Sequence, residues 1–481
     1  MRYHLVIRYI GMVMLLNAAF MLVSALMSWL HGQDSGLNPL LLSTVMTAAM
    51  GAFPLIFVPK GGQLKMKEGY MVVVGAWVVS CVIGTFPYLL WGGEFNVASA
   101  WFESVSGYST TGSTALKDVE ALPRGLLFWR SCTHWLGGVG VVMFTLLVIP
   151  VLGRTKMTLS SAELSPMARD NYNYKSQKIV RILLSTYVGL TLAETVLLIM
   201  AGMNWFDAVN HSFSTIATGG FSTRNAGIAY YDSALIEGIL VVFMLLSGVH
   251  FGVIYATFTG KTNNMFRSEV CRFYFGTFAV ATVIITISLF RADIFSTVGE
   301  ALRTAYFQAA SVFTTTGFAT ADTNLWPPLA IVVLILLMLQ CGGAGSTSGG
   351  IKTDRIWLAF KNLKALILRQ QHPNAVIRIK LNGITQDDSV VSFAMLFIVV
   401  YLLAVLAGTI VITAAGTDLT TGFSMSLACM GNIGLGFGDV GSMSNFAEIS
   451  PFVKYICTVL MLLGRLEIFG FIQLFLFWRW K

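Results

Sequence analysis

The chain has 481 residues, of which 56% are hydrophobic and only 11% charged. Soluble globular domains carry about 25% charged residues, so this composition excludes a soluble domain and describes a polytopic membrane protein. A formal net charge of +8 could suit nucleic acid, but the charges are distributed along the chain in a way that argues otherwise.

Ten stretches are apolar and long enough to span a bilayer: roughly 10–30, 38–58, 70–91, 129–150, 180–202, 235–258, 271–290, 329–360 with an interruption, 390–415 and 454–478. The first is too long for a signal peptide and lacks a small-residue cleavage site, so it reads as an anchor. With the N-terminus inside, the inner segments hold 23 of the 31 Lys and Arg, chiefly in Arg154–Arg181 and Lys352–Lys380. That asymmetry predicts cytoplasmic N- and C-termini and explains the net charge without a nucleic-acid partner. Acidic residues collect on the outer side, which favours the approach of cations. The six cysteines (81, 132, 271, 341, 429, 457) show neither metal nor disulfide spacing and read as small buried hydrophobes. His134, His211 and His250 likewise lack ligand spacing and read as packing or helix-end residues.

One short sequence recurs four times. It reads STTGST at Ser109–Thr114, ATGGFST at Ala217–Thr223, TTTGFAT at Thr314–Thr320 and GNIGLGF at Gly431–Phe437, aligning Gly112, Gly220, Gly317 and Gly434. Each copy follows an apolar stretch too short to cross a bilayer and precedes one long enough to do so. The preceding stretches share aromatic residues before the glycine: WFESVSGYSTTG, WFDAVNHSFSTIATGG and YFQAASVFTTTG. Non-helical backbone at membrane depth is tolerated only in protein or around a watery cavity, so the four strands have to converge. Carbonyls arranged around one axis, with the carbonyl ends of short helices aimed at it, suit a cation.

Two further features fall on the predicted path. The stretch Leu329–Leu339 breaks into QCGGAGSTSGGIKTD at Gln340–Asp354, where Gly342, Gly343, Gly345, Gly349 and Gly350 cannot sustain a regular helix. A loop beneath the strands, lining the cavity, fits this composition. It is not a phosphate-binding loop, because Ile351 stands where Lys is required and no strand precedes it. Arg465 sits within an apolar stretch, where a charge is expensive and usually functional or paired. It is expected to face the pore below the strands, with Glu194 as the candidate partner if it is paired; Glu467 points to another helix face.

The four T-x-G-F-like strands, the ten helices and the interrupted helix of the third unit resemble the TrkH/TrkG potassium-uptake subunits of bacteria, relatives of KtrB and the plant HKT transporters. The resemblance covers the whole chain. It implies an all-α integral membrane protein of four tandem helix–pore-helix–filter–helix repeats in pseudo-fourfold arrangement, preceded by two extra helices. The divisions are 1–69 for those two helices, then 70–178, 179–270, 271–389 with the intramembrane loop, and 390–481. The implied function is potassium uptake across the bacterial inner membrane, with K+ and Rb+ favoured over Na+ and Li+. The filter lining would be Thr110–Ser113, Thr218–Phe221, Thr315–Phe318 and Asn432–Leu435; the ion-binding backbone is placed at Thr110, Thr111, Gly112, Thr218, Gly219, Gly220, Thr315, Thr316, Gly317, Asn432, Ile433 and Gly434. The glycine loop and Arg465 would gate it. A homodimer and a cytosolic nucleotide-binding regulator of the RCK type, like TrkA, are implied as partners, with no organic cofactor in this chain. No unit carries a full TVGYG, so fewer ordered carbonyl rings are expected than in a tetrameric potassium channel.

Two other classes fit less well. Asp439 in GFGD and Asp232 in YD resemble the paired motifs of intramembrane aspartyl proteases, but both fall outside predicted spans. An ion-coupled secondary transporter built on inverted repeats would alternate repeat topology, whereas these four share one orientation.

Overall fold

The computed structural model describes residues 2–59, 66–152, 176–260 and 264–468. The basic segment Arg154–Lys178, most of Lys60–Lys67 and the C-terminal tail expected on the inner side fall largely or wholly outside these residues. Among the described residues the fold is all-α apart from an antiparallel hairpin of two-residue strands, β1 (Lys380–Leu381) and β2 (Ile384–Thr385).

Helices α1 (Tyr3–Leu30) and α2 (Leu37–Phe57) form a hairpin that crosses at two glycines. A Cβ on Gly11 would lie 2.7 Å from the Gly51 carbonyl oxygen, and one on Gly51 would lie 2.9 Å from that of Gly11. Close backbone approach through small residues is how helices hold together in lipid, where the hydrophobic effect does not press them against each other.

Four helical segments follow on one plan. The first comprises α3 (Met66–Gly84), α4 (Phe86–Trp91), α5 (Val97–Tyr108) and α6 (Arg124–Leu152). The second has α7 (Ser176–Met200), α8 (Trp205–Ile216), α9 (Ala234–Ser247) and α10 (Phe251–Phe258). The third has α11 (Glu269–Arg291), α12 (Val298–Phe313), α13 (Pro328–Gln340) and α14 (Thr353–Gln371). The fourth has α15 (Asp388–Ala414), α16 (Leu419–Gly431) and α17 (Pro451–Arg465). Among the described residues six helices are long and apolar enough to cross a membrane, with a seventh span if α9 and α10 are taken together.

The short helices α5, α8, α12 and α16 have 12, 12, 16 and 13 residues. At 1.5 Å per residue they reach about 18–24 Å, short of a ~30 Å hydrocarbon core. Each starts at a side-chain cap: Asn96 accepts from the Ser99 N–H, Asn204 from Phe206, Thr297 from Glu300 in a full capping box, and Asp418 from Thr421. These caps fix where the helices begin, and hence how far they penetrate.

Two predicted spans need correction. The stretch at 235–258 is not one helix: α9 and α10 meet at 108° across Gly248–His250. Here the Gly248 carbonyl turns out to accept the Gly343 N–H at 2.7 Å, and His250 Nδ1 caps α10 by accepting the Gly252 N–H at 2.9 Å. The stretch at 329–360 carries the interruption expected of it, dividing into α13 and α14 around an irregular loop. In the last stretch α17 ends at Arg465, and Glu467 takes a left-handed φ of 47°.

Candidate functional site

All four short helices end in the same way. A residue just past each helix takes a left-handed conformation: Thr110 (φ 53°), Thr218 (55°) and Thr315 (61°), each one beyond the cap, and Asn432 (53°), which is itself the cap. The next N–H reaches back five residues, from Thr111 to Ser106 O (2.9 Å), Gly219 to Ser214 O (2.8 Å), Thr316 to Ser311 O (2.9 Å) and Ile433 to Ala428 O (2.9 Å). This is the Schellman termination, which normally uses glycine at the left-handed position. Three β-branched threonines there are uncommon and strained, by about 1–3 kcal/mol each.

The chain then leaves the helix through the glycine, again at positive φ: Gly112 84°, Gly220 86°, Gly317 80°, Gly434 86°. A Cβ on Gly112 would lie 1.9 Å from Gly219 O, one on Gly220 2.2 Å from Thr316 O, one on Gly317 2.1 Å from Ile433 O, and one on Gly434 2.2 Å from Thr111 O. Each glycine therefore abuts the carbonyl of the following copy, and the fourth returns to the first. The four copies form a closed ring in chain order.

The ring's carbonyls are left open. Among the described residues no backbone N–H donates to the carbonyls of Thr110–Gly112, Thr218–Gly220, Thr315–Gly317 or Asn432–Gly434, and only Gly434 O receives a side chain, Ser113 Oγ at 3.2 Å. Thr110 Oγ1 and Asn432 Oδ1 are also buried without a partner. Backbone carbonyls shut away from solvent are almost always paired, so this many open ones in one place suit water or a cation, either of which an oxygen lone pair can bind.

At one end of the ring a cavity of about 190 Å³ is lined by Gly112, Gly220, Gly317 and Leu435, one residue from each copy. Lys117, Arg130 and Arg224 border it, yet each is held by a carboxylate: Lys117 by Glu448 (2.9 Å), Arg130 by Glu103 (2.8 Å), Arg224 by Asp207 (3.2 Å) and Glu120 (3.5 Å). The positive charges around this mouth are thus largely neutralised.

At the other end lies the loop between α13 and α14, with Ser346, Thr347 and Ser348 at most 2% exposed. Thr347 Oγ1 donates to Ile216 O of the second copy (2.9 Å), and the Gly349 N–H donates to Thr315 Oγ1 of the third (3.1 Å). A Cβ on Gly349 would lie 2.3 Å from Gly431 O of the fourth. Gly342 N–H is tied back to Ser348 Oγ (3.0 Å), Gly343 N–H to Gly248 O, and Gly345 packs so tightly that a Cβ would fall 2.1 Å from His250 Cδ2. Gly350, at φ 71°, turns the chain over the Cys341 sulfur.

Arg465 completes this layer. Its Nη1 donates to Thr347 O (2.6 Å) and its Nη2 to Gly137 O (3.3 Å), and its guanidinium carbon lies 6.0 Å from the Trp77 ring. Gly137 in turn touches the end of α5, since a Cβ there would lie 2.0 Å from Tyr108 O. Loop and arginine together contact all four copies. Arg465 has no carboxylate partner among the described residues. The candidate partner Glu194 is fully buried on α7 and forms no ion pair among the described residues. Glu467, as expected, turns elsewhere, to Lys352 (3.3 Å) and Arg355 (2.8 Å).

The family model for TrkH, described as a cation transport protein, matches residues 40–477. The chain belongs to the TrkH family. The Trk system potassium uptake protein TrkH of Salmonella typhimurium (strain LT2) is 34% identical over 100% of both chains, and TrkG of Escherichia coli (strain K12) is 34% identical over 87% of each. The crystal structure of the potassium transporter TrkH from Vibrio parahaemolyticus superposes with a TM-score of 0.90 at 30% identity, over 100% of both chains. These relatives are named as transporters, not enzymes.

In this TrkH-family chain the ring is braced by groups that reading the sequence did not single out. Glu103, fully buried on α5, accepts from Thr114 Oγ1 (3.1 Å), the Ala115 N–H (2.8 Å) and Arg130 Nε (2.8 Å). Arg130 also donates to Ser222 O of the second copy (3.2 Å) and lies 4.0 Å from the Phe221 ring. One ion pair thereby pins two strands of the ring. At the same register His211 joins Ser222 Oγ (3.0 Å) and Gln308 donates to Ala321 O (3.3 Å). The sequence signal was a carboxylate inside an otherwise uncharged short helix. His134 stacks on Phe221 at 4.1 Å, so the histidines do serve packing and helix ends, and all six cysteines are free and buried.

Breaking a buried pair by removing one partner costs about 3–5 kcal/mol, because the other charge is left unpaired. Arg130→Met or Glu103→Gln alone should therefore lower detergent-solubilised thermal stability sharply. The double variant should recover at least half of the loss. A loss in the double variant equal to the sum of the two single losses would show that the pair does not act as a unit.

Proposed function

We propose that this chain conducts potassium across the bacterial inner membrane, in the direction of uptake, through the ring of four glycine strands. The open carbonyls of the ring carry this reading. The names of the relatives, which are potassium uptake proteins and a potassium transporter, supply the ion. Residues 70–178, 179–270, 271–389 and 390–481 act as four pore units behind the two helices of 1–69. Thr110–Gly112, Thr218–Gly220, Thr315–Gly317 and Asn432–Gly434 replace the water around the ion with backbone oxygen. Potassium is substrate here, and no organic cofactor takes part.

The loop and Arg465 form the gate. The contacts from Thr347, Gly349 and Arg465 to all four units support this, since they lie across the path an ion would follow. The positive charge adds to the obstruction. At an effective dielectric of ~20, two unit charges ~4 Å apart repel by about 4 kcal/mol, which corresponds to roughly a thousandfold in rate. Opening therefore displaces the arginine together with the loop. The subunit functions as a homodimer, with its termini in the cytoplasm. A cytosolic nucleotide-binding ring resembling TrkA docks on the basic inner connections. Within 352–380, Lys352, Arg355 and Lys361 are engaged by Glu467 and Glu269, which leaves Lys364, Arg369, Arg378 and Lys380, the last three of them at the far end of the segment, for the docking surface.

Three measurements test this. In liposomes the protein should pass K+ and Rb+ in preference to Na+ and Li+, and Gly112→Ser, whose Cβ meets the neighbouring carbonyl, should narrow that preference several-fold. Equal K+ and Na+ flux in the parent protein sinks the proposal. Removal of Arg465 (Arg465→Ala), or of three residues from Gly343–Gly349, should raise flux without the regulator at least tenfold while leaving ion preference nearly intact. If both variants insert and conduct no faster than the parent, the gate lies elsewhere. Charge reversal at Arg369, Arg378 and Lys380 should weaken co-purification with the regulator; undiminished binding moves the dock to another surface.

A further inference from the structure

A second cavity, of about 180 Å³, opens between α1, α3 and α6 beside the first unit of the ring; Val13, Leu16, Ala76, Trp77, Gly137 and Gly140 are in its wall. The wall is almost entirely apolar. Apart from the Trp77 indole, its polar side chains are tied to one another: Tyr108 Oη donates to Asn17 Oδ1 (2.6 Å), and Asn17 Nδ2 donates to Ser80 Oγ (3.1 Å) and Val13 O (2.9 Å). A buried water needs two to four polar partners, and a wall so largely apolar suits it poorly. Apolar cavities of about 150 Å³ stay dry and take up apolar guests the size of benzene. Here α1 and α3 are of membrane-spanning length and composition, and Leu16 on the wall is 48% exposed on the flank of α1. The cavity therefore communicates with the bilayer, and the apolar molecule in reach is a lipid chain.

We propose that this cavity binds the acyl chain of a membrane phospholipid, and that the bound chain braces Trp77 against Arg465. Trp77 separates the cavity from the arginine, 6.0 Å from the guanidinium carbon. Gly137, in the same wall, supplies the carbonyl that Arg465 Nη2 holds at 3.3 Å. On another side the indole is fixed by α6, where a Cβ on Gly140 would lie 3.1 Å from Trp77 Cζ2. The cavity is thus the direction left for the indole to move, and an acyl chain in it keeps Trp77 in place. Close packing transmits such a constraint, because a filled wall has few alternative arrangements. Any effect on flux rests on the reading of Arg465 as part of the gate; the binding does not.

The full chain, reconstituted in vesicles of phosphatidylcholine containing phosphatidylglycerol with a mid-chain diazirine, tests both parts. After irradiation, mass spectrometry should find label on cavity residues such as Val13, Val72 and Ala76, besides outward-facing positions such as Leu22 and Val45. Ala76→Phe, which fills the cavity, should cut the cavity label at least fivefold and leave the outward label unchanged; Val139→Phe does the same from the opposite wall if the first variant folds poorly. An unlabelled cavity in the parent, or label unchanged in both folded variants, overturns the site. Trp77→Ala should raise flux without the regulator several-fold. Cavity label without such a rise upholds the lipid site and overturns the brace on Arg465.

Discussion

The contact between a glycine Cα and the carbonyl of the next unit is repeated four times around a closed circuit, and the rest of the fold can be read as what brings those four contacts about. No side chain fits between Gly112 and Gly219 O, so the strands lie at backbone-to-backbone distance. That distance requires the four short helices to end at the same level, which their capped starts and shared terminations arrange. It also leaves the strand carbonyls without N–H partners, since each strand lies beside its neighbour without pairing to it as in a sheet. The strain of three left-handed threonines is held by helices buried on every side. Such strain persists only where the surroundings over-determine the conformation.

Charge is handled by the same logic of enclosure. Glu103 with Arg130 and Asp207 with Arg224 place carboxylates behind the strands and cancel the cations near the cavity at that end of the ring. Arg303 is held likewise by Glu237 (2.9 Å). These pairs stiffen the ring and leave little net charge beside it, so the carbonyl dipoles dominate the local field. Arg465 differs. It lies at the end of α17, holds only carbonyl oxygens among the described residues, and retains a buried Nε without a partner. A guanidinium held by two main-chain oxygens can be released more readily than one in a bidentate ion pair.

Much of this was legible in the chain itself, and the parts that were not share a cause. The four glycines could be aligned because each must adopt a conformation that other residues avoid, and they do meet in one ring. Order around the ring could not be read, because it depends on which carbonyl each glycine touches hundreds of residues away. Thr110, Thr218 and Thr315 carry no local sign of a left-handed turn; threonine disfavours it, and only the tertiary surroundings impose it. The bend at Gly248–His250 sat inside an apolar run and was hidden for the same reason: it exists to receive the Gly343 N–H from another unit. Arg465 and the glycine loop were each conspicuous alone, while the hydrogen bond joining them was not. Glu194 was the obvious ionic partner by type, but its helix presents it elsewhere.

A ring assembled from four identical subunits repeats every feature four times, so an insertion beneath it would appear as four insertions crowding one axis. Here the four quarters belong to a single polypeptide and have diverged. The third contributes an irregular loop, the second a bent helix that makes room for it, the fourth an arginine that grips it, and the first the Gly137 carbonyl that anchors the arginine. Each part occurs once, which is all the space on the axis permits. Covalent linkage of the quarters thereby allows a single loop with one defined orientation beneath the ring, and a substitution at any one of its parts alters one contact in place of four.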